Sequence, residues 1–184
     1  MIELDLFPTL VIIKKNFIDD NTRKQLKNLK PVMSKHAAIL GEGVSSYHNT
    51  YDCLQNFEDL KIKIELELEL MSDKLGITKQ ILNNTWVNKQ KIGSSLNYHQ
   101  HPSSKISGVI YIDVFNNSTC LKFLNPNPYI SMQVNKNNTK YNNEYMDIQP
   151  ENGSLILFPS WLSHGSDNNN TTREVLSFNS RDNG

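Results

Sequence analysis

A chain of 184 residues with 19 Lys plus Arg against 19 Asp plus Glu is formally neutral, so no basic surplus recommends nucleic acid or an anionic membrane as partner. The length fits one domain with a substantial core, and the longest apolar runs, such as "SLILFP", fall far short of a bilayer span. Cys53 and Cys120 stand isolated, without metal-type spacing, and read as packed thiols of a reducing cytoplasm rather than as a disulfide.

The opening "MIELDLFPTLVIIKKNF" carries Glu3 and Asp5 instead of a basic start, and reads as a first strand, not a signal peptide. Within it, residues 8–17 are rich in apolar and β-branched side chains and predict the strand itself. "IDDNTRKQLKNLK" places acids and Asn before helix formers, which predicts a helix starting near Asp20 or Asn21. Residues 31–56 hold Gly, Pro and Ser with little periodicity and predict a loop with short turns. The next segment carries two patterns. Ile62, Ile64, Leu66, Leu68 and Leu70 alternate with charges, as in a half-buried strand, whereas Leu60, Ile64, Leu68, Met71 and Leu75 line one helical face. Its length and its Leu, Glu and Lys content favour the helix.

From about residue 81 the texture changes. "TWVNKQKI", "SSLNYHQH", "ISGVIYIDVF", "CLKFL", "YISMQV", "YMDIQ", "SLILFP" and "REVLSFNS" recur between Asn, Gly, Ser and Pro clusters. Many short strands separated by turn signals indicate a β-sandwich or barrel-like sheet pair. The expectation is one domain over residues 1–184, with an N-terminal αβ portion (1–80) packed on a β core (81–184).

Three of the five histidines fall in that β-rich half: His99, His101 and His164. On a strand, residues two apart share a face, so His99 and His101 converge while Gln100 diverges. Such a pair either holds a divalent ion or stands as two polar residues on an exposed face. Downstream, "ENGSLILFPSWLSHGSDNNNTTREVLSFN" presents a strand ending in Phe-Pro, a turn, His164 and, nine residues on, Arg173 at the start of an apolar strand. A guanidinium there faces solvent or finds an anion, and a carboxylate suits its bidentate fork. Trp161 reads as core packing at a strand end, Lys122 as solvated, and His36 and His48 as residues of the irregular N-terminal part. Asn97 and Ser107 flank the presumed pocket as possible hydrogen-bonding groups.

This order of residues resembles the Fe(II)/2-oxoglutarate-dependent oxygenases. More narrowly, "HQHPSSKISGVIYID" with "ENGSLILFPSWLSHGS…REVLSFN" is similar to a branch of bacterial and phage oxygenases related in pattern to prolyl hydroxylases, over roughly residues 84 to 180. The resemblance implies a mainly β (α+β) fold, a double-stranded β-helix or cupin-like jelly roll with N-terminal helices packed against the sheet. It implies Fe(II) held by His99, His101 and His164, and 2-oxoglutarate held by Arg173 with help from Tyr111. It further implies hydroxylation of a small-molecule or peptide substrate, with release of succinate and carbon dioxide. Two positions depart from the family pattern. His101 stands where an Asp or Glu is usual, and Val175 where a Ser or Thr often supplies a hydroxyl, for which Ser177 is the substitute along the same face. Asn97 is carried as a further cosubstrate contact. Two other readings stay open: a three-histidine iron dioxygenase that works without 2-oxoglutarate, and a non-catalytic β-sandwich binding module.

Overall fold

The computed structural model describes residues 2–3 and 5–184; Met1 and Leu4, in the stretch read as the first strand, lie outside the described residues. In chain order the elements are β1 (Ile12–Lys14), α1 (Asp20–Lys27), β2 (Ile39–Leu40), β3 (Gly43–Ser45), α2 (Glu58–Leu75), β4 (Gln80–Gln90), β5 (Ser95–His99), β6 (Ile106–Asp113), β7 (Leu121–Leu124), β8 (Tyr145–Ile148), β9 (Leu155–Pro159), β10 (His164–Ser166) and β11 (Arg173–Asp182). Two sheets result. A six-stranded sheet runs β1-β9-β6-β11-β4-β3, and a five-stranded sheet runs β2-β5-β10-β7-β8. Every named pairing is antiparallel, and the arrangement is the double-stranded β-helix that the sequence resemblance implies.

The central strands of the larger sheet are buried on both faces, which is why they read as nearly continuous apolar runs. Leu155 and Leu157 of β9, Ile110 and Ile112 of β6, and Leu176 and Phe178 of β11 join the core beneath the helices. The alternate residues Ile156 and Phe158, Val109 and Tyr111, and Val175 belong to a second core facing the smaller sheet. The helix α2 resolves the ambiguous segment. Leu60, Ile64, Leu68 and Met71 are buried on its sheet-facing side, while Ile62, Leu66 and Leu70 are about half exposed. Burying each of those inward side chains contributes about 1.5–3 kcal/mol. The helix ends at Gly76, whose φ of 64° is left-handed and suits the amides of Gly76 and Ile77 to cap Asp73 and Ser72. At α1, Asp19 accepts a hydrogen bond from the Thr22 amide at 2.7 Å, so the helix starts where the acids predict.

Some expectations need correction. The strand expected over residues 8–17 is only Ile12–Lys14, ended by Asn16 in a left-handed conformation (φ 53°). The segment 31–56 is not all loop, since β2 and β3 add one strand to each sheet. "YISMQV" forms no strand. Pro128–Met132 is a 3₁₀ turn, because Asn127 caps the Tyr129 amide and Pro128 opens the turn. Both cysteines are free, with Cys53 buried against Ser46. Among the described residues no helix is long and apolar enough to cross a membrane.

Gly108, in the middle of β6, is a point of close packing in the helix-side core. A Cβ there would overlap the Phe178 ring and come within 2.8 Å of Leu157 Cδ2. Gly108→Ala is therefore expected to lower stability by about 1–3 kcal/mol, read as a shifted midpoint in urea denaturation.

Candidate metal centre

The two sheets enclose a cavity of about 190 Å³. Trp86, Asn88 and Gln90 of β4 and Arg173, Val175 and Ser177 of β11 line it from the larger sheet, beside Val109 and Tyr111 of β6. Strand register puts these in rows: Gln90 opposite Arg173, Asn88 opposite Val175, Trp86 opposite Ser177, with Tyr111 across from Val175 and Val109 across from Ser177 on the other side. From the smaller sheet come Leu96 and His99 of β5, Leu121 of β7 and His164 of β10.

His99 and His164 are direct cross-strand partners, with ring centroids 4.4 Å apart. His101 lies just past the end of β5, where its amide donates to the Ser160 carbonyl at 2.9 Å. Its ring centroid is 5.0 Å from that of His99 and 5.2 Å from that of His164. One ring nitrogen from each of the three lies within 4.8 Å of the others. His164 Nδ1 is 3.0 Å from the Leu162 carbonyl, and His99 Nδ1 is 2.8 Å from the Asn97 carbonyl. A carbonyl only accepts, so in both rings Nδ1 carries the proton and Nε2 is the free lone pair. Burial holds all three rings in the neutral, ligating form. It pushes His164 down to about 3 and His101 down to about 4, in both cases reinforced by His99, and it lowers His99 as well. Three neutral imidazoles suit a divalent first-row transition ion, and iron is among those that accept such a set.

Arg173 lies behind this cluster and is 5 % exposed. Its Nε donates to Gln90 Oε1 at 2.9 Å, Nη2 to Ser166 Oγ at 2.7 Å and Nη1 to the Thr119 carbonyl at 3.3 Å. All three acceptors are neutral, and among the described residues no Asp or Glu lines the cavity. Burial lowers the guanidinium's pKa, yet an arginine stays charged in proteins, so a buried cation is left without a paired anion among the described residues. Tyr111 is buried beside it, and burial pushes its phenol up to about 12 against the pull of Arg173. The phenol is therefore a neutral O–H that can donate.

Several side chains are not where the sequence suggests. Asn97 is exposed and does not line the cavity. Between the pairs His164–His99 and Ser166–Leu96, β10 advances two residues while β5 advances three, and this bulge turns Leu96 inward and Asn97 outward. Gly165 allows it, because a Cβ there would lie 2.7 Å from the Leu96 carbonyl oxygen. Ser177 lines the cavity but is four residues from Arg173, about 13 Å along the strand, and its hydroxyl accepts from Asn88. The hydroxyl next to Arg173 belongs instead to Ser166. Ser107 is committed to Ser160 and Asn179. Lys122 is not solvated: it pairs with Asp167 at 2.6 Å and lies over the Tyr145 ring. Trp161 is 52 % exposed and not in the core.

Other residues escape a reading of the sequence. Gln90, Trp86 and Asn88 sit two apart on β4, and that period of polar and aromatic residues on a core strand was the available signal. His36 also lines the cavity, stacked on His48 at 5.2 Å and edge-on to Tyr47, while Tyr47 meets Trp86 edge-on at 4.9 Å.

The model of the family described as "Putative 2OG-Fe(II) oxygenase" matches residues 84–180, just over half the chain. No curated protein matches the sequence. Among solved structures, a 2OG-Fe(II) oxygenase family oxidoreductase from Burkholderia pseudomallei aligns with a TM-score of 0.65 at 10% identity, over 92% of this chain and 83% of that one. A viral collagen prolyl hydroxylase from Paramecium Bursaria Chlorella virus-1, in complex with 2OG, aligns at 0.60 and 14% identity over 94% and 96%. HygX from Streptomyces hygroscopicus, with nickel, 2-oxoglutarate and hygromycin B bound, aligns at 0.61 and 11% identity over 95% and 84%. At such identities the likeness is one of fold.

Proposed function

Because the chain belongs to the 2OG-Fe(II) oxygenase family, we propose that His99, His101 and His164 hold its Fe(II), and that Arg173 and Tyr111 hold the distal carboxylate of its cosubstrate, 2-oxoglutarate. The observation that carries this reading is one cavity with three convergent neutral imidazoles and a buried guanidinium that, among the described residues, has no carboxylate paired to it. We read the whole chain as one catalytic domain, since the core under α1 and α2 packs on the same sheet that carries Arg173 and Tyr111.

When bound, iron and 2-oxoglutarate together supply the oxidant for a substrate C–H bond: 2-oxoglutarate, dioxygen and R–H give succinate, carbon dioxide and R–OH. The chain's own contribution is placement and exclusion of water. The carbonyls of Leu162 and Asn97 fix the tautomers of His164 and His99, so that both offer Nε2 toward the same point. Phe158, 4.6 Å from the His164 ring, and Phe123 behind it keep that side dry. Arg173 supplies the countercharge for the cosubstrate's far end, and Ser166, Gln90 and Thr119 hold the guanidinium's orientation. The opposite wall, His36, Tyr47 and Trp86, faces the space left for a substrate, a small molecule or a peptide segment.

The test is oxygen-dependent succinate formation from 2-oxoglutarate by the Fe(II)-loaded protein. Uncoupled turnover without a substrate is enough to register it. Iron binding with no affinity for 2-oxoglutarate would instead favour a three-histidine dioxygenase whose Arg173 grips the substrate's carboxylate. Failure to retain iron would favour a binding module.

A further inference from the structure

We infer that the Gln90 carboxamide is a further donor to the distal carboxylate of 2-oxoglutarate, an inference that rests on the assignment of Arg173 to that carboxylate. Gln90 is 5 % exposed and ends β4 directly opposite Arg173. Its Oε1 accepts from Arg173 Nε at 2.9 Å. Because that Nε–H can only donate, the amide cannot be flipped without setting donor against donor. Nε2 is thereby turned away from Arg173, and it is buried with no hydrogen-bond partner among the described residues.

A buried amide donor left unpaired is costly and rare in native structures. It therefore points to an acceptor that arrives with a ligand. Gln90 lines the same cavity as Arg173 and Tyr111, where no Asp or Glu of the described residues offers a permanent acceptor. The carboxamide and guanidinium are joined by one hydrogen bond and present donors from neighbouring strands. An incoming carboxylate has two oxygens and four lone-pair sites, enough for Arg173, Gln90 and the Tyr111 hydroxyl together. The strand position also explains how Val175 is tolerated: the donor missing there is supplied from β4 instead of β11.

The experiment uses the whole 184-residue chain loaded with Zn(II), a redox-inert stand-in for iron, and two ligands of equal carbon count. 2-Oxoglutarate has the distal carboxylate, and 2-oxovalerate has a methyl group in its place. Gln90→Met is expected to weaken 2-oxoglutarate by at least about 10-fold, the value of one hydrogen bond to a charged acceptor, while leaving 2-oxovalerate within about two-fold by the same scale. In the wild-type protein, the Gln90 side-chain NH₂ resonances, assigned by their loss in the variant, should move on adding 2-oxoglutarate and stay put with 2-oxovalerate. A Gln90 that merely steadied Arg173 would lack the downfield shift and slowed solvent exchange of an NH₂ proton in a new hydrogen bond, which overturns the inference even if the variant binds less well. Should the Zn(II)-loaded wild type not bind 2-oxoglutarate at all, the assignment of Arg173 fails and takes this inference with it. If the wild type binds and Arg173→Met abolishes binding, but Gln90→Met leaves affinity intact, only the role of Gln90 is refuted.

Discussion

Replacing His164 with Ala is expected to remove stoichiometric iron from the protein and, with it, all oxygen-dependent succinate formation. The ring is 4 % exposed, its tautomer is set by the Leu162 carbonyl, and it stands directly across from His99. With three protein donors among the described residues, losing one leaves a two-nitrogen site. Since disturbing a supporting residue behind a metal ligand already costs 10–100-fold, a loss of affinity of at least about 100-fold follows. The truncation also empties space beside Phe158 and costs stability of a few kcal/mol, by analogy with other buried ring deletions. His164→Gln, which keeps most of the volume, separates the two effects. Metal content by mass spectrometry, read beside thermal denaturation, should show iron lost in both variants and stability lost mainly in the Ala variant. His101→Ala carries the sharper question. If His101 is a ligand, iron is lost as it is from His164→Ala; iron retained at full stoichiometry removes His101 from the set.

Arg173→Met is expected to leave the metal in place and weaken 2-oxoglutarate by about 100- to 20,000-fold, the value of two hydrogen bonds between charged groups at about 1.5–3 kcal/mol each. Titration calorimetry with a redox-inert metal measures it directly. The same substitution should cost little folding stability. A buried guanidinium with only neutral acceptors carries a large desolvation penalty, and an apolar side chain of similar length avoids it. Affinity and stability should therefore separate. A variant that lost both together would mean that Arg173 is a structural residue, and a variant that bound 2-oxoglutarate as well as the wild type does would refute its assignment.

What the sequence discloses depends on whether a residue's environment is set locally. The strands β6, β9 and β11 are legible because both of their faces are apolar, and α2 because its buried residues recur at helical spacing. The His99–His164 relation is legible as an ordered spacing, although only strand pairing turns it into contact. Asn97 is misread for a physical reason: the period of two fails across a bulge, which the sequence marks only with Gly165. Gln90 is hidden for the opposite reason. In "NKQKIG" it looks like one more polar residue among lysines, and its burial exists only once β4 lies beside β11. Lys122 and Trp161 fail alike, since an ion pair with Asp167 and an exposed indole both depend on where loops come to rest.

The bulge at Gly165 has one more consequence. The distance between two of the proposed iron ligands is governed by a position that has no donor atom, no charge and no side chain. Any larger residue there would wedge β10 away from β5 and pull His164 off His99. Tolerance to substitution around this centre is therefore not ranked by chemical function: the hydrogen atom of a glycine is held as strictly as an imidazole, because it is the spacer against which the imidazoles are aligned.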